Sequence, residues 1–164
     1  MSNIFNSVHD LKTHSEIYNE KLIVTSGGFD PMHVGHLRCL LESAIFAKKV
    51  GSKTKLAVIV NGDGFLLRKK GHSFMSENER MEIIAGIAGV DYVIPWDDGS
   101  QTVIGALEIL RPFAFTKGGD RNAEENVPEF DLCKKMGTRV VFGVGGGKIQ
   151  SSSALVDVMR SRSE

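Results

Sequence analysis

The stretch TSGGFDPMHVGHL, Thr25 to Leu37, follows the apolar run KLIVTS and leads into a helical pattern. Gly27 and Gly28 carry no Cβ, so backbone amides there can approach a ligand that side chains would keep away. A helix is expected from about Val34, which puts His33 and His36 in its first turn. A spacing of three places both imidazoles on one face of that turn. Free amides and the positive end of the helix dipole lie beside them, a setting that favours an anion. A lone histidine here would more simply be a cap or a surface residue. Two same-face histidines and a glycine turn, at a strand-to-helix junction, read instead as a phosphate site.

Outward from this junction the chain alternates. KLIVTS, KLAVIV, DYVIP, FAFT and TRVVF are short, continuous apolar runs rich in branched residues, the pattern of strands buried on both faces of a parallel sheet. Between them Leu37, Leu40, Leu41, Ala44 and Ile45 fall on one helix face, as do Met81, Ile84, Ala85 and Ala88, and then Val103, Leu107 and Leu110. Ser76 with Glu79 forms a capping-box pattern. A further helix is expected over Pro128 to Met136, stopped by Gly137, and a last one from Ser151 carrying Leu155, Val156 and Met159. This alternation predicts an α/β fold: a doubly wound, Rossmann-like open parallel sheet of five strands with helices on both faces, its ligand at the carboxyl ends of the strands. Residues 1–20 are expected to form an arm or short helix, and 21–164 a single domain.

Composition narrows the function. The 164 residues are 41% hydrophobic, enough for one domain with a real core. Lys plus Arg equals Asp plus Glu at 20 each, so no global field draws in nucleic acid or an anionic membrane, and any anion site is local. Cys39 and Cys133 lack a metal-ligand spacing and read as reduced, buried thiols. With no signal-peptide pattern and no run long enough to span a bilayer, a soluble cytoplasmic protein is expected.

GGFDPMHVGH resembles the His-x-Gly-His phosphate-binding motif of the nucleotidyltransferase superfamily, which includes cytidylyltransferases, pantetheine-phosphate adenylyltransferase and sugar-phosphate adenylyltransferases. The likeness runs from about Lys21 to Val158, and IQSSSALV stands where the superfamily opens a late helix with a Ser/Thr-rich turn. ENERMEIIAGIAGVDYVI, LRPFAFTKGGD and SSSALV look most like the adenylyltransferases that make ADP-heptose from heptose 1-phosphate. The segment lacks the Arg-Thr-x-Gly-Ile-Ser pattern of many cytidylyltransferases. Nor does it hold a P-loop, since Gly145 to Gly147 are followed by Lys148, Ile149 and Gln150.

The resemblance implies a set of roles. His33 and His36 contact the triphosphate and stabilise the transition state, with Gly27, Gly28, Phe29, Asp30 and Gly35 against the nucleotide. LLRKKGHSF is expected to be a mobile loop from which Lys70 reaches the phosphates, with Arg68, Lys69 and Arg80 as further phosphate contacts; the rival readings are a solvated surface for the basic triplet and a surface salt bridge for Arg80. Lys117, Gly118, Gly119 and Asp120 would lie against the nucleotide. Ser151, Ser152 and Ser153 would add hydroxyls and free amides, a role that coexists with N-capping. The implied partners are ATP, or CTP, and a phosphorylated small acceptor such as a sugar 1-phosphate, with Mg2+ carried on the triphosphate. A homodimer is left open. The rival readings are a cytidylyltransferase for glycerol 3-phosphate or a related alcohol phosphate, and a nucleotide-binding module without turnover.

Overall fold

The computed structural model describes residues 3–14, 17, 19–119 and 127–146. In chain order its elements are β1 (Asn3–Ile4), α1 (Val8–Thr13), β2 (Lys21–Gly27), α2 (Val34–Val50), β3 (Thr54–Asn61), α3 (Asp63–Lys70), α4 (Glu77–Ala85), β4 (Tyr92–Trp96), α5 (Ile104–Leu110), β5 (Ala114–Gly118), α6 (Phe130–Met136) and β6 (Arg139–Val144). The six strands form one sheet in the order β1-β4-β3-β2-β5-β6, and every pairing is parallel.

The five apolar runs became β2 to β6. The sixth strand, β1, was not expected: Asn3 donates its amide to Asp91 O at 2.9 Å and Phe5 to Val93 O at 2.9 Å. Two residues carry no periodicity to read. Val8 and Leu11 of α1 are buried, so this region contributes to the core.

Because residues alternate along each strand, the sheet buries two cores. On one face Ile23, Val58, Val60, Val93 and Ala114 pack against Leu40, Ala44 and Ala47 of α2 and Met81, Ile84 and Ala85 of α4. On the other, Val24, Ala57, Ile59, Ile94 and Phe115 meet Leu11 of α1, Ala106, Leu107 and Leu110 of α5 and Cys133 of α6. The buried face of α2 is narrower than its sequence suggests. Leu40 and Ala44 are buried, but Leu37, Leu41 and Ile45 are exposed, with Val34 beside them. Among the described residues no helix is long and apolar enough to cross a membrane.

The direction of winding changes between β2 and β5. β2 connects through α2 to one side, whereas β5 connects through α6 to the other. At such a point the loops at the carboxyl ends part and leave a crevice. Gly27 to His36 enters it from β2.

Candidate active site

Helix α2 starts at Val34 as expected, and its N-cap is His33 itself. The Gly35 amide donates to His33 Nδ1 at 3.1 Å, and the His33 amide donates to His36 Nδ1 at 3.3 Å. Each imidazole thus closes a free amide of the helix start. The rings stack with centroids 3.8 Å apart and 20° between planes. A side chain at position 35 would put its Cβ 2.9 Å from the His33 ring, so Gly35 is what lets the imidazole fold back.

This capping fixes the tautomer. An Nδ1 that accepts from an amide cannot carry a proton, so the proton of each neutral ring sits on Nε2. The pair then offers two N–H donors. Burial, followed by His33 and Lys70 nearby, lowers the pKa of His36 to about 4, and neutral imidazole is its form at physiological pH.

The turn ahead of the helix is shaped by Phe29. It takes φ 53, and its ring lies where a Cβ on Gly27 would approach to 2.9 Å. The same ring meets His36 edge-on at 5.2 Å. Asp30 is wholly buried; its carboxylate accepts from the amides of Phe74 and Met75, both at 2.6 Å. One side chain therefore ties the histidine turn to the segment after α3.

The basic triplet belongs to the last turn of α3 rather than to a mobile loop. The sequence misled because DGFLLRKK is polar and holds a glycine, and only Phe65 and Leu66 are buried. Its three cations point to different places. Arg68 pairs with Asp97 and donates to Ser100 O at 3.1 Å, while Lys69 lies over the Phe65 ring at 5.9 Å. Lys70 turns to the motif, with Nζ 3.5 Å from Asp30 O, and burial lowers its pKa.

Arg80 departs furthest from expectation. The expected surface salt bridge is a buried one: Arg80 is wholly buried and pairs with Asp63. Its guanidinium donates to Met75 O at 3.0 Å, Gly28 O at 2.9 Å, Asn61 O at 2.5 Å and Asp63 Oδ1 at 2.7 Å. It clamps the glycine turn to the end of β3 and the start of α3.

On the far side of the crevice, Lys117 Nζ donates to Ser26 Oγ at 3.4 Å. A Cβ on Gly118 would meet Cys39 Sγ and Val144 O, both at 2.7 Å, so this glycine serves the close packing of β5 against α2 and β6. Gly119 adopts φ 65 with open space around it. Beneath, Thr25 Oγ1 donates to Thr116 O at 3.0 Å, and the Ser43 and Thr116 hydroxyls bond at 2.8 Å. Asp120 and Ser151 to Ser153 lie outside the described residues. Sequence reasoning missed Asp63, whose NGD context after a strand was its one signal, and Ser26.

Sheet and site together define a nucleotidyltransferase: a doubly wound α/β domain with paired imidazole donors at the helix that opens on its switch point. The cytidylyltransferase-like family model matches residues 24–144, and the chain belongs to that family. It is 39% identical over 119 residues to the bifunctional protein HldE of Haemophilus influenzae (strain PittEE), covering 71% of this chain and 23% of that one. Against HldE of Shewanella amazonensis (strain ATCC BAA-1098 / SB2B) it is 32% identical over 151 residues, 90% and 29%. The chain thus spans about a quarter of these curated relatives. Among solved structures, the lipopolysaccharide core biosynthesis protein from Thermoplasma volcanium GSS1 superposes with a TM-score of 0.55 at 27% identity, covering 80% of this chain and 97% of that one.

Proposed function

We propose that the protein transfers an adenylyl group from ATP to a sugar 1-phosphate, heptose 1-phosphate being the model acceptor, and releases pyrophosphate. A phosphate oxygen of the acceptor attacks the α-phosphorus in line and forms the new P–O bond. The bond from that phosphorus to the α,β-bridging oxygen breaks, and its electron pair leaves with pyrophosphate. Such a reaction asks little covalent work of the protein; catalysis is positioning and charge stabilisation.

The observation that carries this reading is the stacked histidine pair. Two Nε2–H donors, fixed by backbone capping before any ligand arrives, pay no reorganisation when charge grows on the phosphate oxygens. Lys70 adds a cation from the other side of Asp30. The likeness to HldE supports adenylyl transfer and a sugar phosphate acceptor.

Magnesium fits as a companion of the triphosphate rather than as a caged ion. Among the described residues no group of three or more His, Cys, Asp or Glu is placed to hold a metal, and Asp63 is already committed to Arg80. When bound, the ion would neutralise charge on the phosphates.

The test is a pyrophosphate-release screen of ATP and CTP, with magnesium, against sugar 1-phosphates and alcohol phosphates. ATP with a sugar 1-phosphate is expected to exceed CTP by about a hundredfold, since unpaired groups at a base edge reject the wrong base by a few kcal/mol. Faster turnover with CTP and glycerol 3-phosphate would replace the reading with a cytidylyltransferase. No release from any pair would leave a binding module.

A further inference from the structure

Three buried polar atoms without a partner converge at one corner of the crevice, on the face of the sheet opposite the histidines. They are Asn61 Oδ1, Trp96 Nε1 and Glu129 Oε2. Asn61 and Trp96 are register partners at the carboxyl ends of β3 and β4. Two residues earlier on each strand stand Ile59 and Ile94, members of the core under α5, so both side chains share that face. The Trp96 ring lies against the first turn of α5, where a Cβ on Gly105 would come within 2.7 Å of it. Glu129 reaches the same turn and accepts from the Val103 amide through Oε1 at 3.1 Å. Its second oxygen is left over.

An orphaned buried polar atom costs about 1–3 kcal/mol, and native folds keep few of them. Asn61 is 7% exposed and Glu129 4%. Neither groups like these nor their clustering serves the core, since apolar residues of similar shape would pack there without cost. What the three offer together is two acceptors and one donor beside the flat face of a half-buried indole. Vicinal hydroxyls match that set: two O–H groups donate, one oxygen accepts, and the ring covers the C–H face of a sugar.

We infer that Asn61, Trp96 and Glu129 form the pocket for the hydroxyl-bearing body of the acceptor, a sugar rather than a small alcohol. The inference rests on the nucleotidyl-transfer reading above. It gives the acceptor a direction. Ser26, on β2 one strand beyond β3, shares this face and stands between the corner and Lys117 of β5; neighbouring strands are about 4.8 Å apart. A sugar phosphate seated with its hydroxyls at Trp96 extends its phosphate across the end of β3 toward Ser26 and the histidine turn that follows β2.

Trp96 is the protein's one tryptophan, so intrinsic fluorescence reports on this pocket directly. Titration with a panel of hexose and heptose 1-phosphates is expected to give a saturable change for the sugar that supports pyrophosphate release, half-saturating near its KM. Inorganic phosphate and glycerol 3-phosphate should leave the emission unchanged. Glu129→Gln and Asn61→Leu should each raise the acceptor KM about tenfold, the scale of one lost hydrogen bond, with the KM for ATP unchanged. Asn61→Leu should melt no lower than the unmutated protein, because it removes an orphaned acceptor; a structural role would lower its melting temperature instead. An acceptor that turns over at saturation without moving Trp96 emission, or variants with unaltered acceptor KM, would overturn the pocket and assign the three atoms to buried water. A saturable emission change without pyrophosphate release would uphold the pocket and refute the transferase reading. Silence in both assays would refute both.

Discussion

Replacing Arg80 with methionine tests whether this arginine is a clamp or a phosphate contact. The side chain is wholly buried and makes four hydrogen bonds. Methionine fills much of the same volume, so cavity formation contributes little. What is lost is the partner of three carbonyls, on Gly28, Asn61 and Met75; Asp63, 46% exposed, can turn to water. At about 1–2 kcal/mol for each stranded carbonyl, Arg80→Met should cost about 3–5 kcal/mol, in the range found when one partner of a buried ion pair is removed. Against a total stability of about 5–15 kcal/mol this is large, and urea unfolding followed by circular dichroism would show it as a lower midpoint at unchanged slope. Arg80→Lys should fall between, since one ammonium cannot reach three segments at once. A loss below about 1 kcal/mol, with turnover reduced a hundredfold, would refute the clamp and return Arg80 to the phosphates.

Other outcomes follow from the histidine pair and the lysine beside it. His33→Ala and His36→Ala should each lower turnover by about two to three orders of magnitude, the usual loss for one oriented donor, and a variant that melts normally at full rate would remove that residue from the mechanism. By NMR the His36 ring should titrate near pH 4. Its folded pKa is below the 6.5 of an exposed histidine, so the unfolded chain binds the extra proton, and this group's contribution to stability is constant above about pH 6.5 and declines as pH falls toward 4; a midpoint near 6.5 would show an open site. Lys70→Ala should lower kcat more than it weakens nucleotide binding, because its charge is needed most as the phosphates gain charge; unchanged kinetics would remove Lys70 from the phosphates.

The architecture was legible where burial leaves a continuous signal. β2 to β6 stood out because each is apolar on both faces, and α4 because Ser76 and Glu79 announce its start. What escaped were elements whose stability comes from elsewhere. β1 is two residues long, and α3 buries only Phe65 and Leu66. The histidines could be placed because their setting is local, a turn and the helix that follows it. The reversal of Arg80 could not be read, since a charge on a short helix reads as solvated until Gly28, Asn61 and Met75 are brought together around it. Trp96 and Glu129 escaped for the same reason: they share a corner only after β4 and α6 are in place.

The short strand β1 bears on how the molecule behaves among its own copies. The outer rim of β4 is the kind of unpaired edge on which a foreign strand can grow. Along it the carbonyls of Asp91 and Val93 face outward and are already bonded by Asn3 and Phe5, and next in turn comes Pro95. Proline has no amide hydrogen to offer. On this side a sheet that would otherwise present a template for aggregation is thus closed by two residues of strand and one missing proton, and replacement of Pro95 by valine would reopen it.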